Sequence, residues 1–177
     1  SDDGARFDEI EVFGPEPTQA DYLYVETLPD INGNEAPELA ALRQLPDGTV
    51  QVLVSDSLSK EHIATVSFNR QAMPVLGLAA VSDISGNGIP EVAILLSKPN
   101  GQGIVQIRDA LTGNWVHQMQ SVGKDWKVKA LNSQDSDSDG VSELSVLAEK
   151  DDGSAVGVQV LDAMTKRQLN WIGFPAD

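Results

Sequence analysis

The stretch DSDSDG, Asp135 to Gly140, sets three carboxylates at alternate positions of one short loop and closes it with glycine. Two like charges about 4 Å apart repel by about 1 kcal/mol in bulk water and by several-fold more near a protein surface. A bound cation is the simplest offset, and Ca²⁺ is a hard ion that prefers oxygen ligands. The stretch is not solitary. DINGNEAPELAAL from Asp30, DISGNGIPEVAIL from Asp83 and DSDSDGVSELSVL from Asp135 align residue for residue, 53 and then 52 positions apart.

The alignment extends in both directions. Upstream of the three loops lie YLYVETL, PVLGLAAV and WKVKALN. Downstream come the turns PDG (Pro46 to Gly48), PNG (Pro99 to Gly101) and DDG (Asp151 to Gly153). Alternating apolar segments then run into Asp56, Asp109 and Asp162, each followed three residues later by Ser59, Thr112 or Thr165. HIATVSF, WVHQMQS and QLNWIGF complete the units. Apolar residues recur with period two, as in half-buried strands, and no stretch sustains a helical period. The glycine turns suit tight hairpins that need a positive φ. Each unit therefore reads as four antiparallel strands in about 52–53 residues. That makes the chain all-β and propeller-like, with three four-stranded blades at 22–68, 74–120 and 126–174. A β-sandwich is the structural alternative. RFDEIEVF, Arg6 to Phe13, reads as an extra N-terminal strand. Closed propellers have about 4–8 blades. Three blades then imply a segment of a larger propeller, or two chains joined as a homodimer into a ring of about six.

Numbered from its first Asp, the loop offers side-chain oxygens at positions 1, 3, 5 and 9 and a backbone carbonyl at position 7. In the third copy these are Asp135, Asp137, Asp139, Glu143 and the carbonyl of Val141. In the first they are Asp30, Asn32, Asn34, Glu38 and Ala36. In the second they are Asp83, Ser85, Asn87, Glu91 and Ile89. With water, five such donors approach the roughly 6–8 oxygens that Ca²⁺ takes, whereas Mg²⁺ gives up its water reluctantly. Ligand charge ranks the third loop above the other two, and an Asp/Asn/Gly loop bonded to its own backbone is the competing reading. Glycine at position 6, Gly88 or Gly140, permits the bend; the first copy has Glu35 there and Gly33 at position 4. An EF-hand shares the opening of the motif but needs a Glu at position 12 and flanking helices. Here position 12 is Ala41, Ile94 or Val146, and the flanks read as strands.

The three loops, with their DINGNxxPELA-like wording, resemble the calcium loops of the FG-GAP and VCBS repeat families. The resemblance covers about residues 22–174. It implies β-propeller blades like those of integrin α-chains and of bacterial exported repeat proteins. It also implies calcium as cofactor, held through positions 1, 3, 5, 7 and 9, and an extracellular, cell-surface or periplasmic location.

Composition narrows the partners. The 177 residues carry a formal net charge of −15, which opposes recognition of nucleic acid and of anionic membranes. Cysteine is absent, so disulfides and thiolate metal sites are excluded. No apolar run approaches the roughly 20 residues of a membrane helix. No export leader is visible at Ser1, so such a signal is expected to have been removed or to lie outside this sequence. Catalytic signatures are missing as well: there is no G-x-S-x-G elbow, phosphate loop or H-E-x-x-H pattern. His62 and His117 are expected on the surfaces of fourth strands, and Asp56, Asp109 and Asp162 to cap turns. Trp115, Trp126 and Trp171 are expected to pack rather than to form a sugar platform. The expected function is a non-enzymatic calcium-binding scaffold or adhesion module whose partner is a protein or glycan. The alternatives are a lectin-like propeller and an accessory module of a polysaccharide-degrading enzyme.

Overall fold

The computed structural model of the chain describes residues 20–70 and 73–175. The expected strand at Arg6–Phe13 lies outside the described residues. Twelve strands follow one another, with no helix among the described residues. They form three four-stranded antiparallel sheets, each built only from consecutive strands. Sheet 1 holds β1 (Asp21–Leu28), β2 (Glu38–Gln44), β3 (Thr49–Asp56) and β4 (His62–Arg70). Sheet 2 holds β5 (Val75–Val81), β6 (Glu91–Ser97), β7 (Gly103–Asp109) and β8 (Trp115–Ser121). Sheet 3 holds β9 (Trp126–Gln134), β10 (Glu143–Lys150), β11 (Ala155–Asp162) and β12 (Gln168–Pro175).

The hairpins owe their register to the glycine turns. Gly48, Gly101 and Gly153 all have positive φ (85°, 85° and 71°). Each donates its N–H at 2.8 Å to the carbonyl three residues back, on Leu45, Lys98 and Lys150. One repeated turn therefore sets one repeated register: Glu38 pairs with Asp56, Glu91 with Asp109 and Glu143 with Asp162.

Two apolar cores hold the sheets together. Leu42, Val52, Val54, Val66 and Phe68 of sheet 1 pack with Val92, Ile94 and Leu96 of sheet 2. On the opposite face of sheet 2, Ala93, Leu95, Val105 and Ile107 pack with Leu144, Val146 and Ala148 of sheet 3. The period-two expectation fails at β6, where Glu91 to Leu96 are all buried. Sheet 2 is covered on both sides, so both faces of its strand must be apolar. Each large aliphatic side chain fully buried there contributes about 1.5–3 kcal/mol. The first strands gather on one side of the molecule: β5 lies against both β1 and β9. Trp126 and Trp171 meet edge to face at 4.6 Å and pack on the second core. The Arg108 guanidinium lies over both the Trp115 and Phe68 rings and donates to the Gly113 carbonyl at 2.8 Å.

Candidate metal centre

The three acidic loops occupy the same place in their sheets, between the first and second strands. Their backbones follow one path. Positions 4 and 6 both have positive φ in every copy: Gly33 and Glu35, Gly86 and Gly88, Ser138 and Gly140. The bend thus needs two left-handed residues, where the sequence suggested one. Glu35 and Ser138 hold that conformation with a side chain, at a cost of about 1–2 kcal/mol each.

The first Asp of each loop organises the bend by accepting backbone N–H groups on both oxygens. Asp30 accepts from Gly33 at 2.7 Å and Glu35 at 2.8 Å, Asp83 from Gly86 at 2.7 Å and Gly88 at 2.6 Å, and Asp135 from Ser138 at 2.7 Å and Gly140 at 3.1 Å. The position-5 oxygen of Asn34, Asn87 or Asp139 accepts the N–H of the position-7 residue, Ala36, Ile89 or Val141, at 2.8 Å. Position 9 is buried in all three copies and is tied back to position 2. Glu38 accepts from Ile31 at 2.9 Å, Glu91 from Ile84 at 3.0 Å and Glu143 from Ser136 at 2.6 Å.

Beneath each loop lies a residue that the sequence reading assigned to a turn alone. Oδ1 of Asp56, Asp109 and Asp162 does cap the following turn. It accepts from Leu58 and Ser59, from Leu111 and Thr112, and from Met164 and Thr165. In the first two units Oδ2 does something else. Asp56 Oδ2 accepts the side-chain amides of Asn32, at 2.8 Å, and Asn34. Asp109 Oδ2 accepts the amide of Asn87 at 2.6 Å. These aspartates are both cap and floor. The signal was present in the sequence: a hairpin centred on PDG, PNG or DDG brings the position-9 Glu opposite this Asp.

Charge separates the third loop from the others. The ligand oxygens of Asp135, Asp137, Asp139 and Glu143 lie within 4.8 Å of one another. Asp137 and Asp139 stand where the first loop has Asn32 and Asn34, so no amide is available there for Asp162. Desolvation, followed by the charges of Asp139, Glu143 and Asp135, pushes the Asp137 carboxyl above its ordinary range. The first two floors behave oppositely. The Ser59 N–H and then the Asn32 amide hold Asp56 well below the carboxylate range. Burial raises Asp109, yet donors from Thr112, Asn87 and Leu111 outweigh it and leave the group lowered.

The donor set of the third loop fits a hard divalent cation in type and charge. In the first loop, Glu38 Oε1 is fully buried without a hydrogen-bond partner among the described residues, and an orphaned charged acceptor of that kind suits a cation. In the second loop both oxygens of Glu91 are engaged, Oε2 by Ile84 and Oε1 by Ser85 at 3.1 Å. Burial, ahead of all else, raises the Glu91 carboxyl.

His62 is exposed at the start of β4 and lies 3.1 Å from the Thr65 hydroxyl. His117 corrects the expectation of a surface residue. It pairs with Ile107, shares the face turned toward sheet 3 and is half-buried. Burial lowers its pKa first, and the charge of Lys166 adds to that.

Neither a protein-family model nor a curated protein sequence matches this chain. No helix among the described residues is long and apolar enough to cross a membrane.

Proposed function

We propose that the chain is a calcium-stabilised segment of a β-propeller, akin to FG-GAP and VCBS repeats. In this reading it serves as a non-enzymatic scaffold or interaction surface of an exported bacterial protein. The observation that carries the reading is the third loop, where four carboxylates converge and none is ion-paired with a cationic side chain among the described residues. Three sequential four-stranded sheets with neighbouring first strands support the propeller part. Calcium would join β9 to β10 through Asp135, Asp137, Asp139, Glu143 and the Val141 carbonyl. The first loop would follow in affinity, through Asp30, Asn32, Asn34, the Ala36 carbonyl and the orphaned Glu38 oxygen. The second, through Asp83, Ser85, Asn87, the Ile89 carbonyl and Glu91, would be weakest.

The chain's own residues define what the metal does here. It offsets the mutual repulsion of the loop and fixes the path between the first two strands of a sheet. Millimolar calcium outside cells keeps even modest sites filled.

Thermal unfolding in EDTA, in millimolar calcium and in millimolar magnesium tests this. Ligand at about 100 times Kd adds about 2.7 kcal/mol per site. For a chain of this length that is a rise of about 5–10 °C. A rise with calcium and not with magnesium is expected. An unchanged Tm in a sample shown by elemental analysis to be metal-free would overturn the calcium role.

A further inference from the structure

The repeat makes the two seams between sheets comparable position by position. Strand β4 lines the seam with sheet 2, and β8 lines the seam with sheet 3. Ala64 and His117 are counterparts, because each pairs with the residue two before the floor Asp, Val54 or Ile107. Val66 and Met119 follow, paired with Val52 and Val105. Phe68 and Ser121 come next in the same alternation. The first seam is apolar at each of these positions: Ala64, Val66 and Phe68 are buried in one core with Val92, Ile94 and Leu96. The second seam keeps only Met119 apolar.

The polar positions of the second seam are left unsatisfied. Both ring nitrogens of His117 and the Ser121 hydroxyl are buried atoms without a hydrogen-bond partner among the described residues. Such atoms give up their hydration with nothing in return. Directly after them the chain enters sheet 3 through a strained link. Val122 has φ 52° and Asp125 φ 71°. Left-handed backbone is a marked outlier for a β-branched residue. The Val122 N–H is held from across the seam, by Gln159 Oε1 at 2.8 Å.

The charges around the imidazole offer a proton no free anion. Strand β8 itself carries no charged residue besides the histidine. On β7, Arg108 lies over Phe68, on the side of sheet 1. On β9, Lys127 and Lys129 are exposed and pair with Asp151 and Glu149. On β10, Glu143 is engaged by Ser136. At the turn from β11 to β12, Asp162 accepts from Met164 and Thr165, and Arg167 acts on Asp162. Burial acts first on His117 and disfavours its proton, the Ala163 backbone favours it, and the Lys166 charge on that turn disfavours it again. We propose that the seam between sheets 2 and 3 is a proton-sensitive joint: an imidazolium at His117, buried beside Lys166, loosens sheet 3 from sheet 2 while the apolar seam between sheets 1 and 2 stays closed. The folded chain holds His117 lowered, so the unfolded chain takes up the proton first. Stability is complete above the ordinary His value and is lost as pH falls from that value through the lowered one. The inference rests on the packing of the seam and not on the occupancy of the loops.

Tm and hydrogen-exchange protection factors of the whole chain, in millimolar calcium at about pH 7.5 and about pH 5.5, test the joint. Wild type is expected to lose Tm between the two pH values, and protection should fall in β8 and in sheet 3 ahead of sheet 1. His117→Leu removes the titrating ring. It should lose less Tm over the same interval and keep sheet 3 protected at the lower pH. Lys166→Gln leaves the imidazole in place and removes the charge that opposes its proton. It should act in the same direction with a smaller effect, and its exposed position lets it fold as wild type does. Equal losses of Tm in wild type and both variants would overturn His117 as the sensor. Equal loss of protection in sheets 1 and 3 would mean global unfolding and would overturn a local joint. The comparison is between variants at the same pH and the same calcium, so a Tm that ignored calcium would count against the reading of the loops alone.

Discussion

The first and third loops share a backbone path and differ in what neutralises the floor beneath them. In the first, Asn32 and Asn34 turn their amides onto Asp56, so the protein itself supplies the positive end of each dipole. In the third, Asp137 and Asp139 occupy those positions and bring two more negative charges. One loop is largely completed by hydrogen bonds, while the other is left with an excess of carboxylate. The same fold position can thus be a closed turn or a demanding cation site, and two residue types decide which. Hydrogen bonds to a charged group are worth about 1.5–3 kcal/mol. The Asn amides therefore stabilise the metal-free first loop on a scale close to what calcium contributes at 100 times Kd.

The most severe way to break this contrast is to convert the third loop into the first. Asp137→Asn with Asp139→Asn should abolish the calcium-dependent part of the Tm rise assigned to that loop, about 5–10 °C. In EDTA the same variant should melt above wild type, because amides then face Asp162. A variant that kept the full calcium response would show that the two central carboxylates are not what binds. The reverse conversion is expected to have a somewhat smaller effect. Asn34→Asp removes a donor from the buried Asp56 and should cost about 2 kcal/mol in EDTA by urea unfolding. Calcium should restore part of the loss, and the first loop should then appear as a second strong site by titration calorimetry.

Acid sharpens the contrast further, since the groups respond in opposite senses. In the metal-free protein Asp30, Asp56, Asp83 and Asp109 have lowered pKa values. Their contribution is complete above the ordinary Asp value and is lost as pH falls toward the lowered ones. Asp137 is raised, so the folded state binds its proton more readily than the unfolded chain does. Its effect is to destabilise as pH rises from the ordinary Asp value through the raised one. Carboxyl titration by NMR in EDTA should place Asp137 above the free Asp value and Asp56 well below it. Added calcium should pull Asp137 down and leave Asp109 nearly unchanged. The smallest effect is expected from backbone strain. Glu35→Gly should stabilise the first loop by about 1 kcal/mol with no change in calcium affinity. A change in affinity would mean that the Glu35 side chain takes part in the site.

Much of this was legible without coordinates, because the repeat supplies three aligned readings of one unit. Four strands per unit, the glycine turns and the acidic loops follow from that alignment and from period-two burial. The fourfold carboxylate cluster was legible too, since positions 1, 3, 5 and 9 converge in any loop with that bend. What stayed hidden depended on pairings between distant positions. The role of Asp56 and Asp109 as floors comes from the cross-strand register that sets them opposite Glu38 and Glu91. His117 looked like a surface residue because half-burial depends on which face of β8 meets the next sheet.

The amino-acid sequence by itself determined the local chemistry of this protein: where the chain turns, where it extends, and which loop carries the most charge. Those properties depend on residues within a few positions of one another. Only the tertiary structure decided that β6 is buried on both faces, and that Asn amides complete two floors while, among the described residues, none reaches the third. Each of these depends on what lies across a hairpin or on the neighbouring sheet, and burial and neutralisation are set by such neighbours, not by the residue alone.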